Sequence, residues 1–205
     1  DTQYINLLKK LINNGETTPN RTGINTLSLF AENLRFNLCD DLNRMIIPLL
    51  TTKRIPFRLI YEELLWFLRG STNIDYLKEK NVHIWDKNSS KDFLDHQGLH
   101  DYREGELGPV YGWQFRHFGK KYIPEKLRNT NEPIEKEVDQ ISELINNLKS
   151  DPFSRRHILT TWNPLQIKEA ALPPCHVMSI FKVSSENDKP YIINATPTPK
   201  KWLSC

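Results

Sequence analysis

Three cysteines, Cys39, Cys175 and Cys205, are widely spaced along the chain, and Cys175 differs from the others in following Pro173-Pro174 directly. Two fixed φ angles leave the backbone little freedom just before a predicted strand, so a thiol there is held stiffly. Adjacent strand residues face opposite ways, so His176 cannot readily serve as its base, which weakens a cysteine-protease reading. A thiolate at this position would instead need cationic neighbours, because a nearby Arg or Lys lowers a cysteine pKa. Taken alone, a cysteine is most often a small buried hydrophobe, and that reading stands beside the nucleophilic one.

Glu63 is the second residue of interest. Helical geometry puts it between Leu59, Ile60 and Phe67, at the centre of an apolar arc where a leucine would stabilise. Burying a carboxylate is costly, so such a group is either hydrogen-bonded structurally or held for function. Glu62 sits nearer the edge of the arc and is expected to be solvated. Arg21 lies in the turn Asn20-Arg21-Thr22-Gly23, and Arg155-Arg156 follow the turn 151–154. Guanidinium groups in tight turns suit bidentate phosphate capture, although an arginine pair is usually just solvated surface. The stretch from Gly105 to Gly112 has too much glycine for a helix and lacks the Lys-Ser/Thr ending of an ATPase phosphate loop, so it reads as a tight turn presenting Tyr111.

Helices and strands must position these groups. Tyr4, Leu7, Leu8, Leu11 and Ile12 have the period of an amphipathic helix, with Gly15 as its C-terminal cap. After a polar turn at 17–20, residues 24–38 alternate as two strands would, with Leu34, Phe36 and Leu38 on one face. Pro56 and Gly70 bound a helix expected to be the most buried. Val138, Ile141, Leu144, Ile145 and Leu148 predict another helix, ending before Asp151-Pro152. Segments 157–162 and 176–183 are rich in β-formers and read as strands of one sheet. The Pro-containing polar stretches 120–133 and 184–200 read as long loops. Strands grouped with helices, without regular βαβ alternation, predict an α+β fold with a mixed sheet.

The 38% apolar and 26% charged composition predicts a chain that folds, and its 205 residues fit one domain. A formal charge of +3 suits a small phosphorylated ligand better than a nucleic acid lattice, so DNA binding is not expected. The odd, scattered cysteines include no Cys-x-x-Cys pair, which points to a reducing compartment. With no apolar run near the roughly 20 residues that span a bilayer, a cytoplasmic protein with no membrane association is expected. The chain opens on Asp1 and closes on Cys205 in what reads as a strand, so residues 1–205 are expected to be a domain incomplete at its C-terminus.

In order and spacing, the segments 20–23, Pro48-Leu49-Leu50-Thr51-Thr52-Lys53-Arg54, 62–68, Gly70-Ser71-Thr72-Asn73, Ile84-Trp85-Asp86, 107–112, Ser154-Arg155-Arg156 and Trp162-Asn163-Pro164 leading to Ala171-Leu172-Pro173-Pro174-Cys175-His176 resemble the thymidylate synthase family. The likeness runs with interruptions from Tyr4 to Phe181. It implies methylation of deoxyuridine monophosphate with 5,10-methylenetetrahydrofolate as cosubstrate, Cys175 adding to C6 of the pyrimidine, and no metal. It further implies that Glu63 organises proton transfer at the pyrimidine O4 and that Tyr111 joins the proton network at C5. Arg21 would hold the phosphate, while Arg155 and Arg156 would reach the partner's phosphate site across a homodimer formed on a sheet face. Ile84, Trp85 and Asn88 match positions lining the folate site.

Trp202-Leu203-Ser204-Cys205 resembles the strand leading into the family's Gln-Arg-Ser-x-Asp motif, which lies beyond the last residue. The groups that follow in the family grip phosphate, pterin, pyrimidine edge and deoxyribose. The expectation is therefore a fragment of an active enzyme, either truncated or cut from a longer polypeptide such as a reductase-synthase fusion, with little activity by itself. One alternative is an inactive relative that dimerises or binds RNA or another partner. Another is a hydroxymethylase of a deoxycytidine or deoxyuridine nucleotide using the same cysteine and folate.

Overall fold

A computed structural model of the chain describes residues 1–20, 23–42, 44–127 and 136–183, and the backbone of 190–194. It contains two compact units, Asp1–Phe57 and Arg58–Cys205. In the first, helix α1 (Thr2–Asn14) turns Tyr4, Leu7, Leu8 and Leu11 inward by half, while Ile12 stays 71% exposed. Gly15 ends it in an extended conformation, φ −72°, rather than the left-handed cap, and still donates its N–H to Leu11 O at 2.9 Å. The glycine is needed for space, since a Cβ there would stand 2.3 Å from Leu11 O.

Strands β1 (Glu16–Thr18) and β2 (Thr26–Ser28) form an antiparallel hairpin with Thr18 opposite Thr26. The expected second strand over 34–38 does not form, and Leu34, Phe36 and Leu38 are each more than a third exposed. Alternation gives a strand only where a neighbour completes the ladder. Here the Gln3 side chain takes that place, accepting from Arg35 N at 2.9 Å and donating to Arg35 O, and Ile46 N donates to Leu38 O.

The second unit contains helix α2 (Phe57–Leu68) from Arg58 onward, and helices α3 (Asp75–Glu79), α4 (Lys91–His96), α5 (Tyr111–Arg116) and α6 (Gln140–Ser150). Its sheet pairs β3 (Ile158–Thr160), β4 (Met178–Val183) and β5 (Pro190–Asn194) in that order, antiparallel throughout, with Ile158, Ile180 and Ile193 in one cross-strand row. Strand β5 corrects the expectation of one loop over 184–200: Tyr191, Ile192 and Ile193 are β-formers that pair with β4, a partner the local sequence does not reveal. Of the loop expected at 120–133, residues 120–127 are irregular but for a 3₁₀ turn at Glu125–Leu127, and the remainder lies outside the described residues.

Helix α2 is less buried than its sequence predicts. Trp66 and Phe67 lie in the core, but Tyr61 and Leu64 are each 49% exposed. Glu62 is half-buried rather than free in solvent, accepting from Tyr76 Oη at 2.5 Å. The core gathers Trp66, Leu77, Leu94 and Leu107, all fully buried, around an aromatic group in which Phe67 and Tyr111 lie 4.5 Å apart. One carboxylate, Glu106, is wholly buried with them, accepting from Tyr122 Oη at 2.6 Å and from the N–H groups of Glu125 and Arg103 at 2.8 and 3.1 Å. Three donors around one carboxylate offset its desolvation.

Candidate active site

Cys175 sits in the connection between β3 and β4, which is fastened at several points. Thr161 donates its N–H to Val177 O at 2.9 Å and its Oγ1 to His176 O, while Ala171 N donates to Leu107 O at 2.9 Å and Tyr102 Oη to Glu169 O at 2.6 Å. Pro174 is buried, whereas Cys175 is exposed with a free thiol. The reading of Cys175 as a buried core hydrophobe is thereby corrected: the prolines hold the backbone while the thiol faces solvent.

The Cys175 N–H donates to Tyr111 Oη at 2.7 Å. Tyr111 opens α5 at the end of the 105–112 stretch, so the expected tight turn passes directly into a helix that includes Gly112. Gly108, at φ +76°, lets this stretch pack directly on Glu169 and Tyr102, because a Cβ there would meet Glu169 O at 2.4 Å and the Tyr102 ring at 2.7 Å. Burial pushes the Tyr111 phenol above its ordinary range, with the hydrogen bond from the Cys175 amide pulling the other way. The phenol therefore stays protonated at neutral pH, accepting from Cys175 while keeping its own hydrogen to donate. The His176 ring packs on Tyr111 at 5.8 Å.

Glu63 is half-buried on α2, and its Oε1 accepts from Trp85 Nε1 at 2.7 Å. The Trp85 ring lies 5.8 Å from Trp66 and 6.4 Å from Tyr111, so Glu63, Trp85, Tyr111 and Cys175 form one connected group within the second unit. Ile84 is 41% exposed beside it, and Asn88 ends the 3₁₀ turn Asp86–Asn88, donating its N–H to Trp85 O at 3.1 Å. Arg155 and Arg156 are exposed and share no hydrogen bond or ion pair with this group among the described residues. Arg156 lines a cleft of about 160 Å³ against α6. Arg21 lies outside the described residues. Among the described residues no cluster of His, Cys, Asp or Glu could hold a metal ion, and no helix is long and apolar enough to cross a membrane.

The buried carboxylate of Glu106 and the buried amides of Gln114, Asn163 and Gln166 carry no periodic signal of their burial in the sequence pattern. Asn163 was visible only as part of Trp-Asn-Pro, without a role. The available signal for Glu106 was a charged residue between glycines in an otherwise apolar stretch.

The thymidylate synthase family model matches residues 2–197, and the chain belongs to that family. It is 50% identical over 183 residues to a probable thymidylate synthase of Schizosaccharomyces pombe, and 49% identical over 183 residues to the thymidylate synthase of Saccharomyces cerevisiae. It is 46% identical over 185 residues to a bifunctional dihydrofolate reductase-thymidylate synthase of Paramecium tetraurelia. These matches take in 89%, 89% and 90% of the chain but 28%, 58% and 38% of the respective relatives, so the chain spans only part of their length.

Proposed function

We propose that the protein containing this chain methylates deoxyuridine monophosphate to thymidylate, with 5,10-methylenetetrahydrofolate supplying both the one-carbon unit and the hydride. The observation that carries this reading is the exposed Cys175 thiol, whose backbone is tied to a buried, protonated Tyr111 beside the Trp85–Glu63 pair. The Cys175 sulfur adds to C6 of the pyrimidine; C5 takes up the one-carbon unit and loses its proton, the folate amine departs to leave an exocyclic methylene, and hydride transfer from the folate to that methylene expels the sulfur. Glu63, held by the Trp85 N–H, handles the proton at O4, and Tyr111 serves the one at C5. Ile84 and Trp85 offer partly exposed apolar surface suited to a pterin, with Asn88 at its edge.

Arg21 is assigned the nucleotide phosphate, and the exposed Arg155 and Arg156 are assigned the phosphate of a second subunit across a homodimer formed on the sheet face. The cytoplasm, where the nucleotide and a reduced thiol coexist, is the expected compartment. The test uses the complete protein. It should form dihydrofolate from these two substrates, and 5-fluorodeoxyuridylate with the folate should trap Cys175 covalently. Cys175→Ser should abolish both. Trapping that persists in the variant puts the nucleophile elsewhere, and a wild-type protein that converts only a cytosine nucleotide overturns the substrate assignment.

A further inference from the structure

Gln114 lies three residues beyond Tyr111 on α5, is 2% exposed, and has no part in the chemistry described above. Its Nε2 donates to Pro109 O and to Gln166 Oε1, each at 2.9 Å. Gln166 Oε1 also accepts from Asn163 Nδ2 at 2.9 Å, and Gln166 Nε2 donates to Lys120 O at 2.9 Å. Backbone carbonyls only accept, so Pro109 O and Lys120 O fix which end of each glutamine amide is nitrogen. The arrangement has one polarity and no flipped equivalent.

A second clamp holds the same helix. Gln140 donates to Gln114 O and Thr160 O, each at 2.7 Å, and accepts from Thr160 N at 3.0 Å. Together these amides tie α5 to the first residues of the 163–175 loop and to β3. Sliding α5 along the loop by even one bond length would leave several buried amide groups without partners, which is costly. The hydrogen bond from Cys175 N to Tyr111 Oη spans the same two segments at the loop's other end.

We propose that Gln114, acting through Gln166, is a positioning residue of the Cys175 site, fixing α5 against the 163–175 loop at the register where Tyr111 Oη meets the Cys175 N–H. Its consequence for turnover rests on the function proposed above, but the register itself does not. The variant Gln114→Met keeps the side-chain length and removes every hydrogen bond of the amide. In the complete protein labelled with ¹⁵N-cysteine, amide exchange at Cys175 should accelerate at least about fivefold, the equivalent of one net hydrogen bond. Tyr111→Phe should accelerate it by as much or more, and the double variant should exchange no faster than Tyr111→Phe alone, because both act on one contact. Turnover should fall in kcat with little change in KM for the nucleotide.

Leu77→Ala, a fully buried core truncation on α3, serves as the control for general loss of stability. It should lower Tm at least as far while leaving exchange at Cys175 unchanged. The proposal is overturned if Gln114→Met leaves Cys175 exchange at the wild-type rate, if the two single effects multiply in the double variant, or if Leu77→Ala reproduces them. A wild-type protein that forms no dihydrofolate would refute the proposed function, while the exchange measurements would still decide the register.

Discussion

Gly112 lies inside α5 one residue after Tyr111, and replacing it by alanine sets two effects against each other. Gly112→Ala should favour the helix by about 1 kcal/mol through propensity alone. Against this, the new methyl would stand 2.7 Å from Ser71 O, 3.0 Å from Gly70 C and 3.1 Å from Ser71 N, all of them backbone atoms. Neither side yields easily, because Gly70 is at φ +74° against Arg116 and Leu107 N holds Thr72 O at 2.8 Å. Restoring ordinary contact needs a separation of roughly half an ångström or more. Overpacking of this kind costs about 1–3 kcal/mol, so the net expectation is a loss of about 0–2 kcal/mol, with α5 displaced. That displacement carries Tyr111 away from Cys175 N and stretches a 2.7 Å hydrogen bond. Urea denaturation should show the lower stability, and amide exchange at Cys175 should quicken. A variant about 1 kcal/mol more stable than wild type, with Cys175 protection intact, would refute the reasoning, since propensity would then have acted against no steric opposition.

Trp85→Phe keeps the aromatic packing but removes the N–H that Glu63 accepts at 2.7 Å. A hydrogen bond of this kind contributes about 0.5–1.5 kcal/mol net, so kcat for dihydrofolate formation should fall about two- to tenfold. Unchanged kcat would remove Glu63 from the proton path. Glu169 Oε2 is sealed from solvent with no hydrogen-bond partner, and burial raises its carboxyl pKa, opposed by the charge of Lys121. Its proton is therefore held to higher pH in the folded state than in the unfolded one. The resulting contribution is fully present below the ordinary carboxylate range and is lost as pH rises through the raised folded value. Glu169→Gln should remove this dependence and add about 1 kcal/mol at pH 7 but little at pH 4, measured by urea denaturation at both. Equal effects at the two pH values would show that the carboxyl does not titrate differently on folding.

What could be read from the sequence was whatever local chemistry determines. The α1 period, the α6 period and the β-formers flanking Cys175 all led to the observed elements. The misread segments depended on partners far along the chain. Residues 34–38 alternate like a strand but have no described strand beside them, whereas 190–194, placed in a polar stretch, pair with β4. At the site, Cys175, Tyr111, Glu63 and Trp85 were named as candidates and form one connected group. The amides around Gln114 were invisible for a physical reason: a glutamine at one position looks like any surface glutamine until the carbonyls it bonds, here Pro109 and Lys120, are brought to it by the fold.

The spacing along α2 explains how the carboxylate and the phenol come to be held by one element. Glu63 and Phe67 are four residues apart and share a helix face, and Trp66 lies beside them. Phe67 packs on Tyr111 at 4.5 Å, while Trp66 packs on Trp85 at 5.8 Å and seats the ring whose N–H serves Glu63. Trp66 is itself pinned, donating from Nε1 to Asn73 O at 2.6 Å. The two aromatic residues that bury α2 therefore also fix the donor for its carboxylate and the ring of the phenol facing Cys175. A change at Phe67 cannot be a core change alone: shrinking it loosens Tyr111, and through Tyr111 the Cys175 backbone. The half-buried position of Glu63 follows from the same arrangement, because the helix must bring its carboxylate to the edge of the core, where Trp85 can reach it and a ligand can still approach.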